Sequence, residues 1–282
     1  MWYGLGAYSM WGLFPLYWKL FRGVPALEVL AHRISWSFVA LVLLAAGMHG
    51  RRLRALTRVS RAVAGLYAVA ALLIGVNWFL YVWAVNAGFV VETSLGYFIT
   101  PLVNVVLGVV VFRERLRALQ WVAVAIAAAG VIHLTRAYGS VPWIAAGLAL
   151  TFGSYGLAKK KAPLGSLDGL TLETAMLVIP AVAYLAVLHQ TGTGVFLRGD
   201  VGTSLLLIGG GLITIVPLLL FASAVQRVQL TAIGVLQYIS PTIQLLLGVL
   251  LFHEPFTGSQ AIGFSFVWMA LAVFAIDSVR RR

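Results

Sequence analysis

Long apolar runs separated by short polar interruptions occupy almost the whole chain. The runs approach the ~20 residues that a helix needs to cross a hydrocarbon core of ~30 Å. We therefore predict an all-α integral membrane protein with ten transmembrane helices. The predicted spans are residues 2–20, 27–46, 62–85, 93–112, 119–135, 142–158, 170–188, 204–225, 231–252 and 260–277.

The composition supports a bilayer environment. Apolar residues make up 61% of the 282 residues and charged residues 10%, whereas charged residues make up about 25% of soluble domains. The absence of cysteine excludes disulfides and thiolate metal sites. Trp2 and Tyr3 open directly into a span of full length, without the basic segment of a cleavable signal peptide, so the first helix is expected to stay.

A segment of the fourth predicted span recurs in the ninth, 140 positions later. Six of the fourteen residues from 101 to 114 are identical to those from 241 to 254, and "WGLFPLYWK" at 11–19 resembles "FGSYGLAKK" at 152–160. A shift of five helices reverses the direction of a segment, so we predict two inverted five-helix halves, residues 1–137 and 138–282. Such repeats are typical of secondary transporters, whose substrate site lies near the midplane. A chance match between segments rich in Leu, Val and Gly is the alternative.

The basic residues indicate which loops face the cytoplasm. Fifteen of the 20 Lys and Arg residues fall on alternate loops or at the C-terminus, and such residues collect on the cytoplasmic side. Both termini are therefore predicted to be cytoplasmic. The net charge of +12 is also compatible with nucleic-acid binding. A nucleic-acid-binding surface, however, needs basic residues and stacking aromatics on one folded face, whereas here the basic residues lie in short loops.

Two stretches carry a family resemblance: "ALEVLAHRISWSF" at 26–38 and "NWFLYVWAVNAGFVVETSLGYFITPLVNVVLG" at 77–108. They resemble the RarD group of the EamA-type drug/metabolite transporter (DMT) superfamily. The resemblance implies a ten-helix inner-membrane permease built as two EamA-like repeats, about 5–135 and 142–278, with both termini cytoplasmic. Members of this group are commonly labelled chloramphenicol-sensitivity or drug-export proteins. They usually begin with a short polar leader, so an alternative start is left open.

Three prolines inside predicted spans, Pro101, Pro217 and Pro241, are expected to kink their helices. Proline removes one backbone hydrogen bond and displaces the carbonyl four residues earlier. Pro101 and Pro241 are equivalent under the repeat, and they would expose the carbonyls of Tyr97 and Gln237 at the depth of a transporter site. A kink that serves packing alone is the alternative.

Polar and aromatic side chains surround these prolines with helical spacing. An unpaired amide in hydrocarbon costs several kcal/mol, so each amide must face protein, water or ligand. Aromatic rings on several spans indicate a cavity for a planar or partly apolar solute. The predicted substrate-binding residues are Asn77, Trp78, Tyr81, Tyr97, Asn104, Gln237, Tyr238 and Gln244. Under the alternative interpretation, Asn104 faces Gln244 across the pseudo-two-fold axis as a structural hydrogen bond. Trp2, Tyr3, Trp18 and Trp143 lie at span ends and are interpreted as interface anchors.

Four ionisable residues in or beside the spans are candidates for ion coupling: His32, Arg33, Glu92 and Glu173. Placing a charge at the centre of a bilayer costs at least ~2.5–3.5 kcal/mol, so such groups commonly mark a pathway. Depth favours Glu92 as the partner of Arg33 and places Glu173 nearer Lys159. Snorkelling of Arg33 and Glu173 to an interface is the alternative.

These patterns predict a secondary-active permease for a small drug or metabolite in a bacterial-type inner membrane. No Walker A pattern is present, so the chain has no P-loop for ATP hydrolysis. We expect no catalytic residues, metal or cofactor, and no nucleic-acid partner; the expected partners are a small-molecule substrate, the lipid bilayer and coupled protons. A passive facilitator or lipid carrier is the first alternative. A membrane-embedded enzyme is the second, although the five histidines form no HExxH pattern.

Overall fold

A computed structural model describes residues 1–18, 20–21, 23–49, 59–87, 89–138, 142–251 and 257–279. These residues form α-helices joined by short connections, with one π-helical turn and no strand. The helices are α1 Trp2–Trp18, α2 Ala26–His49, α3 Arg61–Asn86, α4 Val90–Phe112, α5 Ala118–Tyr138, α6 Trp143–Lys161, α7 Ser166–Thr191, α8 Val201–Arg227, α9 Leu230–Gln237, α10 Ile239–Leu246, the π turn Leu247–Leu251 and α11 Gly258–Val279.

Eight helical segments in the described residues are long and apolar enough to cross a membrane. They are α2, α3, α4, α5, α7, α8, α11 and the continuous stretch Leu230–Leu251 formed by α9, α10 and the π turn. Two predicted spans are not among them: α1 has 17 residues, and α6 ends in three lysines. Two polar residues of α6 face protein, since Thr151 bonds Asn77 of α3 and Lys159 bonds Glu173 of α7.

Two pairs of helices that are equivalent under the sequence repeat, α4 with α9 and α5 with α11, pack against each other in antiparallel fashion. Along α4, Phe98 accepts a hydrogen bond from the hydroxyl of Tyr238 (3.2 Å), and the backbone of Pro101 crosses close to Gly234. As the numbering of α4 rises, the numbering of its partners falls. The pair α5 and α11 behaves in the same way, with Gly130 against Phe266 and Leu134 against Gly263.

Several of the remaining helix contacts occur in matched pairs. Helix α1 packs on α8 and α10, and its equivalent α6 packs on α3 and α4, which are the counterparts of α8 and α10. Helix α2 packs on α8, and its counterpart α7 packs on α3. Exchanging the two halves therefore reproduces these particular contacts.

Glu114 ties the two halves together at one end of the bundle. Arg113 ends α4 with a left-handed backbone (φ 53°), a conformation more usual for glycine. The carboxylate of Glu114 then accepts hydrogen bonds from the backbone N–H of Leu230 (2.7 Å) and from Thr231, through its backbone N–H (3.0 Å) and its hydroxyl (2.7 Å). These bonds satisfy N–H groups at the start of α9 that have no partner within the helix, and the negative charge suits the helix dipole there.

Gly211 allows α2 and α8 to approach closely. A Cβ atom at this position would lie 2.4 Å from Cβ of Trp36 and 2.6 Å from the backbone nitrogen of Ser37. The hydroxyl of Ser37 donates to the carbonyl of Gly211 (3.0 Å) across the same crossing. Small residues at such crossings let membrane helices pack backbone to backbone.

We predict that Gly211→Ala destabilises the protein, whereas Gly210→Ala is tolerated. A Cβ at Gly210 would have its nearest neighbour at 3.7 Å, an ordinary contact. Both substitutions gain the same helix propensity, so their difference isolates the cost of overpacking, about 1–3 kcal/mol. The melting temperatures of the two purified variants in one detergent provide the measurement, and equal melting temperatures would contradict the packing argument.

Candidate functional site

A cavity of about 180 Å³ lies between the two halves, and both halves contribute to its wall. It extends from the middle of the bundle towards the end at which α1 and α3 finish and α4 and α6 begin. Most of the wall is aromatic, amide or hydroxyl. The lining residues are Tyr8, Trp11, Phe14, Pro15, Trp18, Arg33, Asn77, Trp78, Tyr81, Thr93, Gly96, Tyr97, Thr100, Leu148, Phe152, Leu218, Gln237, Ser240 and Gln244.

Helical periodicity brings these side chains to one face of each helix. On α4, Thr93, Gly96, Tyr97 and Thr100 recur at intervals of three and four residues and all line the cavity. On α1 the lining face begins at Tyr8, continues through Trp11 and ends at Trp18, two turns beyond Trp11. The structure thus places Trp18 in the cavity wall, while its interpretation as an interface anchor stays a prediction.

Three amide side chains present polar groups to the cavity and hold neighbouring helices. Asn77 donates to the carbonyl of Leu148 and to the hydroxyl of Thr151, both at 2.9 Å. Gln244 donates to the carbonyl of Trp11 (3.2 Å), and Gln237 accepts from Asn104 (3.1 Å). Each of these bonds joins the first half of the chain to the second.

Two of the eight predicted substrate-binding residues lie outside the cavity wall. Asn104 is 1% exposed and bonds Gln237, so it supports a lining residue from behind. This partner also differs from the alternative expectation that Asn104 pairs with Gln244. Tyr238 packs with Phe98 and Phe264 and donates to the Phe98 carbonyl. The other six predicted residues, Asn77, Trp78, Tyr81, Tyr97, Gln237 and Gln244, line the cavity.

The three prolines have different local structures. Helices α4 and α8 run without interruption through Pro101 and Pro217. The stretch that contains Pro241 is interrupted, because α9 ends at Gln237 and α10 begins at Ile239. Pro241 has no N–H with which to bond the carbonyl of Gln237, which accounts for a break at this position.

Arg33 is positioned in the cavity wall by contacts from both halves. Its Nε donates to the hydroxyl of Thr214 (2.9 Å), which in turn donates to the carbonyl of Gly210 (2.7 Å). The guanidinium carbon lies 4.3 Å from the ring centroid of Trp78 and 5.4 Å from that of Trp18. Contact with aromatic faces stabilises a cation that has lost part of its water shell.

Neither His32 nor Glu173 lines this cavity. His32 lies in a separate cavity of about 70 Å³ with Glu28 and His189, and its ring packs on Phe196 with centroids 4.5 Å apart. The side chain of Glu92 falls outside the described part of the chain. The predicted pairing of Arg33 with Glu92 therefore stays a prediction.

Glu173 forms a buried ion pair with Lys159. The two side chains are each 1% exposed, and Nζ of Lys159 lies 2.8 Å from the carboxylate of Glu173. The hydroxyl of Tyr155 donates to the same carboxylate (3.1 Å). Buried charges occur where they are paired in this way, because an isolated charge would cost several kcal/mol.

A layer of aromatic rings closes the cavity at the end opposite Trp18. Phe221 stacks on Tyr155 with centroids 6.0 Å apart, and Trp11 and Phe152 lie 5.6 and 5.4 Å from Phe221. Tyr8 completes the layer and is 1% exposed. The ion pair of Glu173 and Lys159 lies behind Tyr155, so it is separated from the cavity by this layer.

Sequence reasoning did not single out the contacts of Thr214 or Glu114. Thr214 lies in an apolar helix, and nothing in the neighbouring sequence distinguishes it. Only the fold places its hydroxyl beside Arg33. Glu114 is identical to the equivalent residue at position 254, and this identity could have marked it as important. The repeat alone does not predict which helix the carboxylate caps. Among the described residues, no group of three or more His, Asp or Glu side chains is arranged to hold a metal ion.

Comparison with known proteins places this geometry in a family. The model of the EamA-like transporter family matches residues 1–136 and again residues 140–276. Protein RarD of Streptomyces exfoliatus is 48% identical over 99% of this chain and 88% of its own length. The uncharacterized transporter YojE of Bacillus subtilis is 47% identical over 97% of this chain and 92% of its own length. A crystal structure with 22% sequence identity superposes with a TM-score of 0.72, covering 99% of this chain and 97% of that one, and supports the fold.

We predict that Asn104→Ala and Gln244→Ala have different effects, although the two residues are equivalent under the repeat. Asn104→Ala leaves the side-chain amide oxygen (Oε1) of Gln237 without its partner in a buried place, which costs about 1–3 kcal/mol and lowers the melting temperature. Gln244→Ala changes the cavity wall and lowers uptake per folded molecule more than it lowers the melting temperature. Melting curves and uptake measured on the same preparations test the pair, and the reverse order of effects would contradict the assignment.

Proposed function

Because the chain belongs to the EamA-like transporter family, we propose that this membrane transporter is a secondary-active permease for a drug or metabolite. One observation carries the proposal: a polar and aromatic cavity lies between two related halves and is closed at one end. A site near the midplane between inverted repeats is the usual arrangement in secondary transporters. Alternating access then consists of opening the aromatic layer as the other end closes.

The proposed architecture has ten membrane spans in two inverted halves, 1–137 and 138–282. The antiparallel packing of equivalent helices supports the inversion, since two copies related by an axis in the membrane plane must meet in this way. The two family matches, residues 1–136 and 140–276, support the division into repeats. Helices α1 and α6 supply the two spans beyond the eight that length and apolar composition identify.

The proposed orientation places both termini in the cytoplasm of a bacterial cell. Lysines 159–161 end α6, and Glu114 and Arg117 follow α4, at the end of the bundle that the aromatic layer closes. Basic residues favour the cytoplasmic side. The cavity therefore faces outward in this structure, and the cytoplasmic end is closed by the aromatic layer, the Glu114 contacts and the hydrogen bond from Lys160 to the carbonyl of Val228 (2.6 Å).

Uptake into proteoliposomes tests the proposed function. We expect the purified protein to accumulate at least one of three labelled probes, indole-3-acetate, tryptophan or chloramphenicol, when a pH gradient is imposed. Equilibration of a probe without accumulation supports the passive facilitator, and no uptake of any probe contradicts the permease with this range of solutes. Accumulation of tryptophan or chloramphenicol above the external concentration distinguishes coupled transport from facilitation. For indole-3-acetate the comparison is with protein-free liposomes, because a weak acid follows a pH gradient through lipid by itself.

A pair of serine variants shows whether uptake passes through the cavity. Ser240 lines the cavity and is 4% exposed, whereas Ser265 lies exposed on α11. We expect Ser240→Phe to abolish most of the uptake by filling the cavity and Ser265→Phe to retain it. Equal uptake by the two variants, measured per folded molecule, would exclude this cavity as the pathway.

Thiol labelling tests the orientation, because the chain has no native cysteine. Gly165, between α6 and α7, has nothing within 4 Å of an added Cβ, and Thr193, between α7 and α8, is exposed. We expect a membrane-impermeant maleimide to label Thr193→Cys in intact cells and Gly165→Cys only after permeabilisation. Labelling of the two positions from the same side would contradict the span formed by α7, and the reversed pattern would invert the orientation.

A further inference from the structure

Arg33 is the one charged side chain among the described residues that line the main cavity. The other described lining residues are aromatic, amide, hydroxyl, aliphatic or glycine, and none carries a carboxylate. A permanent cation in this place is costly unless it serves packing or a ligand. The distribution of charge in the wall is therefore complementary to an anion.

The contacts that Arg33 makes with the described residues leave its anion-binding edge available. Within the part of the chain that the structure describes, its recorded hydrogen bond uses Nε and goes to Thr214. The ring of Trp78 covers a face of the guanidinium at 4.3 Å. The two terminal nitrogens thus keep the planar pair of donors that binds a carboxylate through two parallel hydrogen bonds. Thr214 and Trp78 hold the side chain of Arg33 in one position. Binding of a ligand therefore costs little further side-chain entropy.

The surroundings of Arg33 suit a flat apolar body. Trp18 and Trp78 flank the guanidinium, and Trp11, Phe14 and Phe152 line the cavity beside them. Aromatic walls bind planar rings by offset or edge-to-face contacts. At about 180 Å³, the cavity is smaller than the ~300–1,000 Å³ typical of pockets for drug-sized ligands.

We propose that the substrate is a small planar aromatic carboxylate, carried as an anion, with its carboxylate bound by Arg33. This inference rests on the proposed function and names the substrate class of the same cavity. A zwitterionic amino acid fits less well, because its ammonium group finds no carboxylate among the described lining residues. Glu92, whose side chain lies outside those residues, is the predicted partner that would cancel the charge of Arg33, and the wild-type measurement below decides whether it does so.

A matched pair of ligands isolates the charge. Indole-3-acetate and indole-3-acetamide have nearly the same shape and differ in charge, and tryptamine supplies the cation. We expect calorimetry on the full-length purified protein to show at least about tenfold tighter binding of the acetate than of the acetamide, the size of one good charge-assisted contact. Tryptamine is expected to bind more weakly than either.

Two arginine variants complete the experiment. Arg33→Gln should lose the preference for the acetate and keep its affinity for the acetamide within about threefold, because the ring contacts remain. Arg227→Gln removes a cation of α8 that lies outside the cavity and should behave as wild type. If Arg33→Gln does not fold, Arg33→Lys retains the charge without the two-pronged geometry and should keep part of the preference.

The outcomes separate this inference from the transport proposal. Equal binding of acetate and acetamide by the wild type, a preference that survives in Arg33→Gln, or no binding of the acetate would each overturn the anion site. Uptake of a neutral or cationic probe together with such a result leaves the transporter proposal standing. Binding of the acetate that depends on Arg33, without uptake of any probe, supports the site and contradicts transport.

Discussion

The requirement that every polar group find a partner away from water organises this protein. Hydrocarbon offers no hydrogen bonds, so unpaired polar groups in the spans are costly. The structure satisfies several of them between the two halves of the chain. Asn77 bonds Thr151, Asn104 bonds Gln237 and Glu114 bonds the start of α9. The interface between the halves therefore carries polar contacts beside its apolar core, whereas the outer faces of the helices expose large apolar side chains.

The cavity is the part of this interface where the pairing is incomplete. Arg33, Gln237 and Gln244 each make one contact across the halves or between helices and present the rest of the side chain to the cavity. A ligand with matching groups can complete those contacts, and it does so between two bodies that move relative to each other in the proposed mechanism. Binding and movement would thus share the same set of hydrogen bonds.

The two halves are related in contact pattern and differ in local backbone. Helix α4 is continuous from Val90 to Phe112, whereas its counterpart is divided into α9, α10 and a π turn. The break follows Gln237, a residue of the cavity wall, and precedes Pro241. Short irregular segments of this kind are frequent at functional sites in helical proteins. The difference between two equivalent segments coincides with a cavity that is open towards one end and closed at the other.

The sequence by itself determined the helical class, because long apolar runs can cross a bilayer as helices that satisfy their own backbone hydrogen bonds. It also determined the membership of the family, through the stretches at 26–38 and 77–108. The 140-residue repeat also predicted which helices are equivalent, and the periodicity of Tyr97 and Thr100 predicted a shared face. Tertiary structure alone decided which polar residues meet. Asn104 and Gln244 are equivalent in sequence, yet one supports Gln237 and the other lines the cavity, because helix rotation and the break after Gln237 place them differently. Likewise, Arg33 and Thr214 are 181 positions apart, and no local pattern encodes a contact that depends on how α2 crosses α8.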